Sequence, residues 1–165
     1  MSDDFITIVP ADPWHVPSSD RVHAAHAYLA TVDRSVEEPS VDKGLKVFAG
    51  QDGLPVKCPR CQTAHAEDAD EPWVADALSE LYDDEARSFP HLDITMPCCN
   101  AKISLADAIP SIDWPEYDSQ AGYQPWGFGS AHINLLNPET LLTAAHRTQL
   151  ENLLGCPVRL IAYRI

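Results

Sequence analysis

Two close cysteine pairs carry the most chemistry in this chain: Cys58-Pro59-Arg60-Cys61 and Cys98-Cys99. Tetrahedral zinc takes four thiolates, and a C-x-x-C turn brings two of them to one side of an ion. Pro59 suits such a turn. The second pair is irregular, because adjacent side chains on a strand point to opposite faces. Cys98 and Cys99 can converge only where the backbone turns, and Pro97 and Asn100 flank them with turn-forming residues. Three readings compete. Structural zinc would sit on Cys58, Cys61, Cys98 and Cys99. His65 or His91 could instead replace one of the adjacent cysteines. A redox dithiol needs the C-x-x-C at the start of a helix within a βαβ unit, and the polar run after Cys61 lacks an apolar stripe. The fifth cysteine, Cys156, follows Gly155 and is expected to pack as a small hydrophobe. An odd count with no export signal argues against a disulfide framework.

The elements that must position these residues follow from hydrophobic period and turn chemistry. Residues 5–9 (FITIV) end at Pro10 and read as a strand. Ser18, Ser19 or Asp20 can cap a helix to about Val32, with Val22, Ala25, Leu29 and Val32 on its apolar face. Residues 45–49 (LKVFA) form a second strand. In residues 54–105 lies a zinc-ribbon-like lobe. Its one helix is capped by Asp70 or Glu71 and opened by Pro72, with Val74, Ala77, Leu78, Leu81 and Tyr82 as the buried stripe. Residues 92–96 read as a strand leading to Cys98. Residues 106–130 read as irregular and aromatic-rich, and residues 131–136 as a strand. Asn137 caps and Pro138 opens the last helix, Gly155 closes it, and residues 158–165 form the final strand. Without the lobe the order is β-α-β…β-α-β. The expected fold class is α+β: a ferredoxin-like antiparallel sheet with two helices on one face and the lobe inserted in a single domain spanning residues 1–165.

The CPRC motif, the Trp-bearing helix, TMPCCN, the Ser104-Leu105 segment and Asn137-Pro138 together resemble an uncharacterised family of bacterial proteins. That family carries CPxC followed by MPCCG and a short SL segment. The resemblance covers about residues 45–165 and implies zinc binding by the four cysteines, with no activity attached. Asn100 stands where the family has glycine; asparagine tolerates positive φ, so the turn survives.

Composition narrows the function. The chain has 165 residues, 11 Lys+Arg against 25 Asp+Glu, and a net charge of −14. An acidic chain is a poor binder of phosphate backbones; the basic residues Lys43, Lys46, Lys57, Arg60 and Lys102 face heavy acidic competition. No apolar run approaches a membrane span, and the acidic N-terminus does not read as a secretory signal, so a cytoplasmic location is expected. No P-loop, G-x-G-x-x-G, G-x-S-x-G or H-E-x-x-H occurs. Asp12, His15 and His132 are the candidates for an enzyme pocket between the lobe and the sheet. His23 and His26 read as a surface pair. Residues 66–93 hold ten acids and one base, either a solvated helix face or a surface that steers a basic protein. Glu67, Asp83, Asp84 and Glu85, with Trp114, Tyr117, Tyr123 and Trp126, form the expected partner surface. The expected protein is a zinc-stabilised, acidic protein-binding module, in one version an immunity or antidote protein covering a basic toxin.

Overall fold

A computed structural model describes residues 2–51, 53–65 and 73–165. The fold is mixed α+β. Strand β1 (Asp4–Pro10) leads into helix α1 (Ser19–Val32), strand β2 (Ser40–Ala49) and two small hairpins. The hairpins are β3 (Val56–Lys57) with β4 (Ala64–His65), and β5 (Asp93–Thr95) with β6 (Lys102–Ser104). Helix α2 (Trp73–Leu81) lies between them, and a 3₁₀ turn (Leu105–Ala108) follows. Strands β7 (Tyr123–Gln124) and β8 (Trp126–Leu136), helix α3 (Ala144–Leu154) and strand β9 (Val158–Arg164) complete the chain.

The main sheet has five strands in the order β2-β8-β1-β9-β7. Strand β8 runs antiparallel to β2 and β1, and β9 runs antiparallel to β1. The expected all-antiparallel sheet needs one correction: β7 joins the β9 edge in parallel. Only Pro125 separates β7 from β8, yet β7 borders β9 while β8 borders β1 on its other side. One nearly continuous segment therefore flanks both sides of the β1–β9 pair, so the sheet must curl.

Two glycines permit the curl. A Cβ on Gly127 would lie 2.6 Å from Ile161 Cδ1, and one on Gly129 would lie 2.7 Å from Val9 Cγ1. Inside the curl Val9, Phe48 and Ile161 form a small core. Alternation along β8 sends Trp126 and Phe128 the other way, where they meet Leu45, Val56, Val74, Phe89, Leu92 and Met96 in the core of the hairpin region. The third core lies under the helices. Val22, Ala25 and Leu29 of α1 and Leu150 and Leu154 of α3 bury Ile6, Ile8, Ile133, Leu135 and Leu160. Burying one such aliphatic side chain stabilises by about 1.5–3 kcal/mol.

Three boundaries differ from expectation. Strand β8 begins at Trp126, inside the stretch read as irregular, because Gly127 and Gly129 look like breakers in sequence. Strand β2 begins at Ser40 and is bulged between Val41 and Lys46. Helix α3 begins at Ala144, not Pro138. Thr143 makes a capping box with His146, Asp118 Oδ2 accepts from the Ala144 N–H at 2.9 Å, and Asp33 Oδ2 accepts from the Thr140 N–H at 2.7 Å. Those bonds hold the preceding segment out of the helix. Asn137 takes a left-handed backbone (φ 52°), and its side-chain oxygen accepts from the Asp4 N–H at 2.9 Å. The expected cap of α2 lies outside the described residues.

Gly129→Ala tests the curl. Val9 is β-branched and fully buried, so it cannot swing aside. The substitution is expected to cost about 1–3 kcal/mol, read as a lower urea midpoint with unchanged slope.

Candidate metal centre

The four cysteines of the two pairs come together. Their Sγ atoms all lie within 4.8 Å of one another. Cys58 and Cys99 are 3.7 Å apart and Cys61 and Cys98 are 3.3 Å apart, sulfur to sulfur. A tetrahedral thiolate centre with metal–sulfur bonds of about 2.3 Å has edges of about 3.8 Å, so the set fits one soft tetrahedral cation. His65 and His91 are not part of this group. His65 instead packs edge-on against Trp73, and His91 Nδ1 accepts from the Asp93 N–H at 3.3 Å.

The adjacent cysteines converge because they sit in a turn that repeats the first one. In the first hairpin the Cys58 N–H donates to Thr63 O and the Gln62 N–H to Cys58 O, both at 2.9 Å. In the second the Met96 N–H donates to Ala101 O and the Asn100 N–H to Met96 O, both at 2.9 Å. Gln62 and Asn100 occupy the same position and both are left-handed, at φ 63° and 55°. The equivalences follow residue by residue. Cys99 matches Cys61, Met96 matches Cys58, and Cys98 matches Arg60. Met96 is fully buried and packs in the hairpin core, so the thiol missing at that position is supplied by Cys98 further out in the turn. Cys58 is buried, whereas Cys61, Cys98 and Cys99 are exposed. The site therefore has one sulfur anchored in the core and three at the surface.

The electrostatics suit a cation. The Thr63 hydroxyl, 3.1 Å away, is the first cause holding the Cys61 thiol down to about 6, with Cys98 and Cys58 assisting. Lost hydration and then the neighbouring sulfurs push Cys98 up to about 12. One thiolate is tolerated; further ones repel it. A metal ion removes that repulsion and deprotonates all four. Cys156 belongs elsewhere: it is half-buried against the helix core, where burial raises its thiol.

The other candidate residues do not assemble. Asp12 closes a turn, accepting from the Trp14 N–H at 3.0 Å. The cavity beside His132 measures only about 10 Å³ and is lined by neither Asp12 nor His15. The His132 ring lies 4.8 Å from Phe48, and its Nδ1 is 3.5 Å from Asp42 Oδ2. Burial holds its pKa below the ordinary 6.5, Lys46 adds to that, and Asp42 and Glu37 oppose it. His23 Nδ1 lies 2.7 Å from Ser19 O, tied to its own helix.

Of the expected partner surface, Asp83, Asp84, Glu85 and Trp114 are exposed and Tyr117 is half-buried. Asp83 Oδ1 accepts from the N–H groups of Glu85 and Ala86, both at 2.9 Å, which fixes the acidic turn after α2. Tyr123 and Trp126 must be withdrawn from that surface. Both are fully buried; the Tyr123 hydroxyl donates to Leu142 O and the Trp126 indole N–H to Pro55 O, at 2.8 and 2.9 Å. Glu67 lies outside the described residues. None of the described helices is long and apolar enough to cross a membrane.

No family model, curated protein or solved structure matches the chain. The resemblance to the bacterial CPxC…MPCC family therefore rests on the motif residues alone, and the metal centre on its geometry. Two outcomes can be checked, one at the cluster and one at His132. Cys58→Ser and Cys99→Ser should each lower bound metal and melting temperature, while Cys156→Ala should cost only about 1 kcal/mol; metal analysis with thermal melts checks both. His132 supplies the second. A folded pKa below the unfolded value means that the unfolded chain binds the proton more readily. Its stabilising share is complete above pH 6.5 and is lost as pH falls below it, so His132→Phe should flatten the loss of stability between pH 7 and 5.

Proposed function

We propose that the chain is a zinc-stabilised, acidic protein-binding module whose partner is a basic protein. The observation that carries this reading is a closed set of four thiols in a region whose exposed turn is acidic. Zinc suits four thiolates in tetrahedral array. With all four positions filled by sulfur, the ion keeps no open site for water and acts as a structural crosslink. A thiolate-bound zinc of this kind carries two net negative charges, and Lys57, Arg60 and Lys102 lie on the hairpins that build it. Those bases have a local charge to balance, which favours an internal role for them over a nucleic-acid strip.

In this reading residues 1–165 form one domain, with residues 54–105 inserted as the zinc-ribbon-like lobe. The order β2-β8-β1-β9 with α1 and α3 in one core supports a ferredoxin-like arrangement extended by β7. The lobe presents Asp83, Asp84 and Glu85 on a turn already fixed by hydrogen bonds, so little conformational entropy is lost when a partner engages it. A net charge of −14 favours encounter with a basic surface. An immunity or antidote protein covering a basic toxin is one concrete version.

Two measurements test the proposal. Carefully prepared protein should hold one zinc per chain, and chelation should loosen the lobe before the sheet. Asp83→Lys, Asp84→Lys and Glu85→Lys together should slow association with a partner captured from the native cell. The slowing should shrink in high salt, and the melting temperature should stay within a few degrees. Association indifferent to both reversal and salt would sink the partner reading, and the absence of bound zinc would sink the metal reading.

A further inference from the structure

A second feature of the surface stands apart from the acidic turn. At the end of the sheet where β1 begins and β9 ends, a groove of about 680 Å³ opens. Its walls include Phe5, Trp114, Tyr117 and Tyr163, and its rim carries Asp4, Glu116 and Arg164. The rings form two pairs. Phe5 and Tyr163 are stacked, with centroids 5.2 Å apart and planes 6° apart. Trp114 and Tyr117 lie 5.5 Å apart at 39°. Trp114 is 43% exposed and shares this wall with three other rings, and a contiguous apolar patch of that kind marks a contact surface where a lone exposed ring does not.

The charges on the rim are unequal. Arg164 pairs with Asp4 through Nε at 2.6 Å, and those two charges cancel. Among the described residues Glu116 has no ion-pair partner. The groove is thus lined by two aromatic pairs and one carboxylate without an ion-pair partner. The Tyr117 phenol senses this field: burial first, then the Asp4 and Glu116 carboxylates, raise it above the usual value.

We infer that this groove seats an arginine side chain of the basic partner. The inference rests on the basic-partner reading above and adds the residue that the partner must supply. A guanidinium is planar, stacks on aromatic faces and offers a fork of donors to a carboxylate. Rings supply the apolar contact, and Glu116 supplies the countercharge. A lysine ammonium matches the charge but not the plane, and a neutral urea-type side chain matches the plane but not the charge.

The test uses full-length, metal-loaded protein and three blocked pentapeptides, Gly-Gly-X-Gly-Gly with X arginine, lysine or citrulline. The Trp114 indole N–H resonance reports binding. The arginine peptide should shift it saturably at about millimolar concentration. The lysine peptide should bind at least about threefold more weakly, and the citrulline peptide should leave the resonance in place. Glu116→Gln and Trp114→Ala should each weaken arginine binding by about threefold to tenfold; for Trp114→Ala, a Tyr117 ring resonance is the reporter. Glu116→Gln preserves shape and so tests charge alone, and an unchanged melting temperature confirms the fold of each variant. Equal binding of citrulline, or affinity indifferent to both substitutions, would overturn the groove. The two readings separate on the captured partner. If reversal of Asp83, Asp84 and Glu85 weakens it but Glu116→Gln and Trp114→Ala do not, the groove fails and the basic-partner reading stands. If neither set of substitutions matters, both fail.

Discussion

The gathering of four cysteine sulfurs within 4.8 Å of one another is the constraint that ties the two hairpins together. Without a cation the cluster holds one low-pKa thiol, Cys61, beside a strongly raised one, Cys98. With a cation the same crowding becomes attraction four times over. The supporting structure is slight. Each hairpin has two or three residues per strand, and an isolated two-stranded hairpin is marginal in water. A metal ion bound between them would close a long loop from Cys61 to Cys98, where chain entropy makes a crosslink most stabilising. The core beneath the site supplies the rest. Cys58 and Met96 are both fully buried there, so the same apolar contacts that seat the hairpins also seat the first ligand.

The sheet supports that arrangement through its curl. Because Gly127 and Gly129 allow β8 to cross close to Ile161 and Val9, Trp126 and Phe128 turn outward toward the hairpin region. Their rings meet edge to face at 5.5 Å, and Phe128 meets Phe89 in the same way at 5.6 Å. Such contacts add to area burial. The Trp126 indole N–H also anchors Pro55, just before β3. Two residues without side chains thereby decide where two of the largest aromatic residues go, and those decide where the cysteine-bearing turns begin.

How far the sequence shows all this depends on whether the signal is local. Helix α1 is legible because Val22, Ala25 and Leu29 recur at the helical period and all three are buried. The four-cysteine cluster is legible from residue type and spacing. The repeated turn is not, because the two hairpins share little beyond Pro59 with Pro97 and Cys61 with Cys99. Their equivalence lies in backbone hydrogen bonds and in the positive φ of Gln62 and Asn100. The start of β8 is hidden for a similar reason. Glycine reads locally as a breaker, and its use here is a close approach to residues far along the chain. Helix α3 shows tertiary contacts overriding a local rule: Asn137-Pro138 is a good helix opening, yet bonds from Asp33 and Asp118 favour Thr143 as the cap.

The aromatic stretch divides along the same line. Five aromatic residues lie between positions 114 and 128, and sequence alone does not separate those that fold inward from those that stay out. Hydrogen-bond reach separates them. Tyr123 and Trp126 find backbone carbonyls for their polar atoms and can be buried whole, as an amphipathic ring requires. Trp114 follows Asp113 and precedes Pro115, in a connection outside the named strands, and it remains outside with Tyr117 tilted against it. Glu116 lines the same groove, where Arg164 is paired with Asp4. A stretch that looks uniform by composition is thus split into core and surface by the carbonyls available to each ring, and the surface half lies beside a carboxylate, Glu116, that forms no ion pair among the described residues.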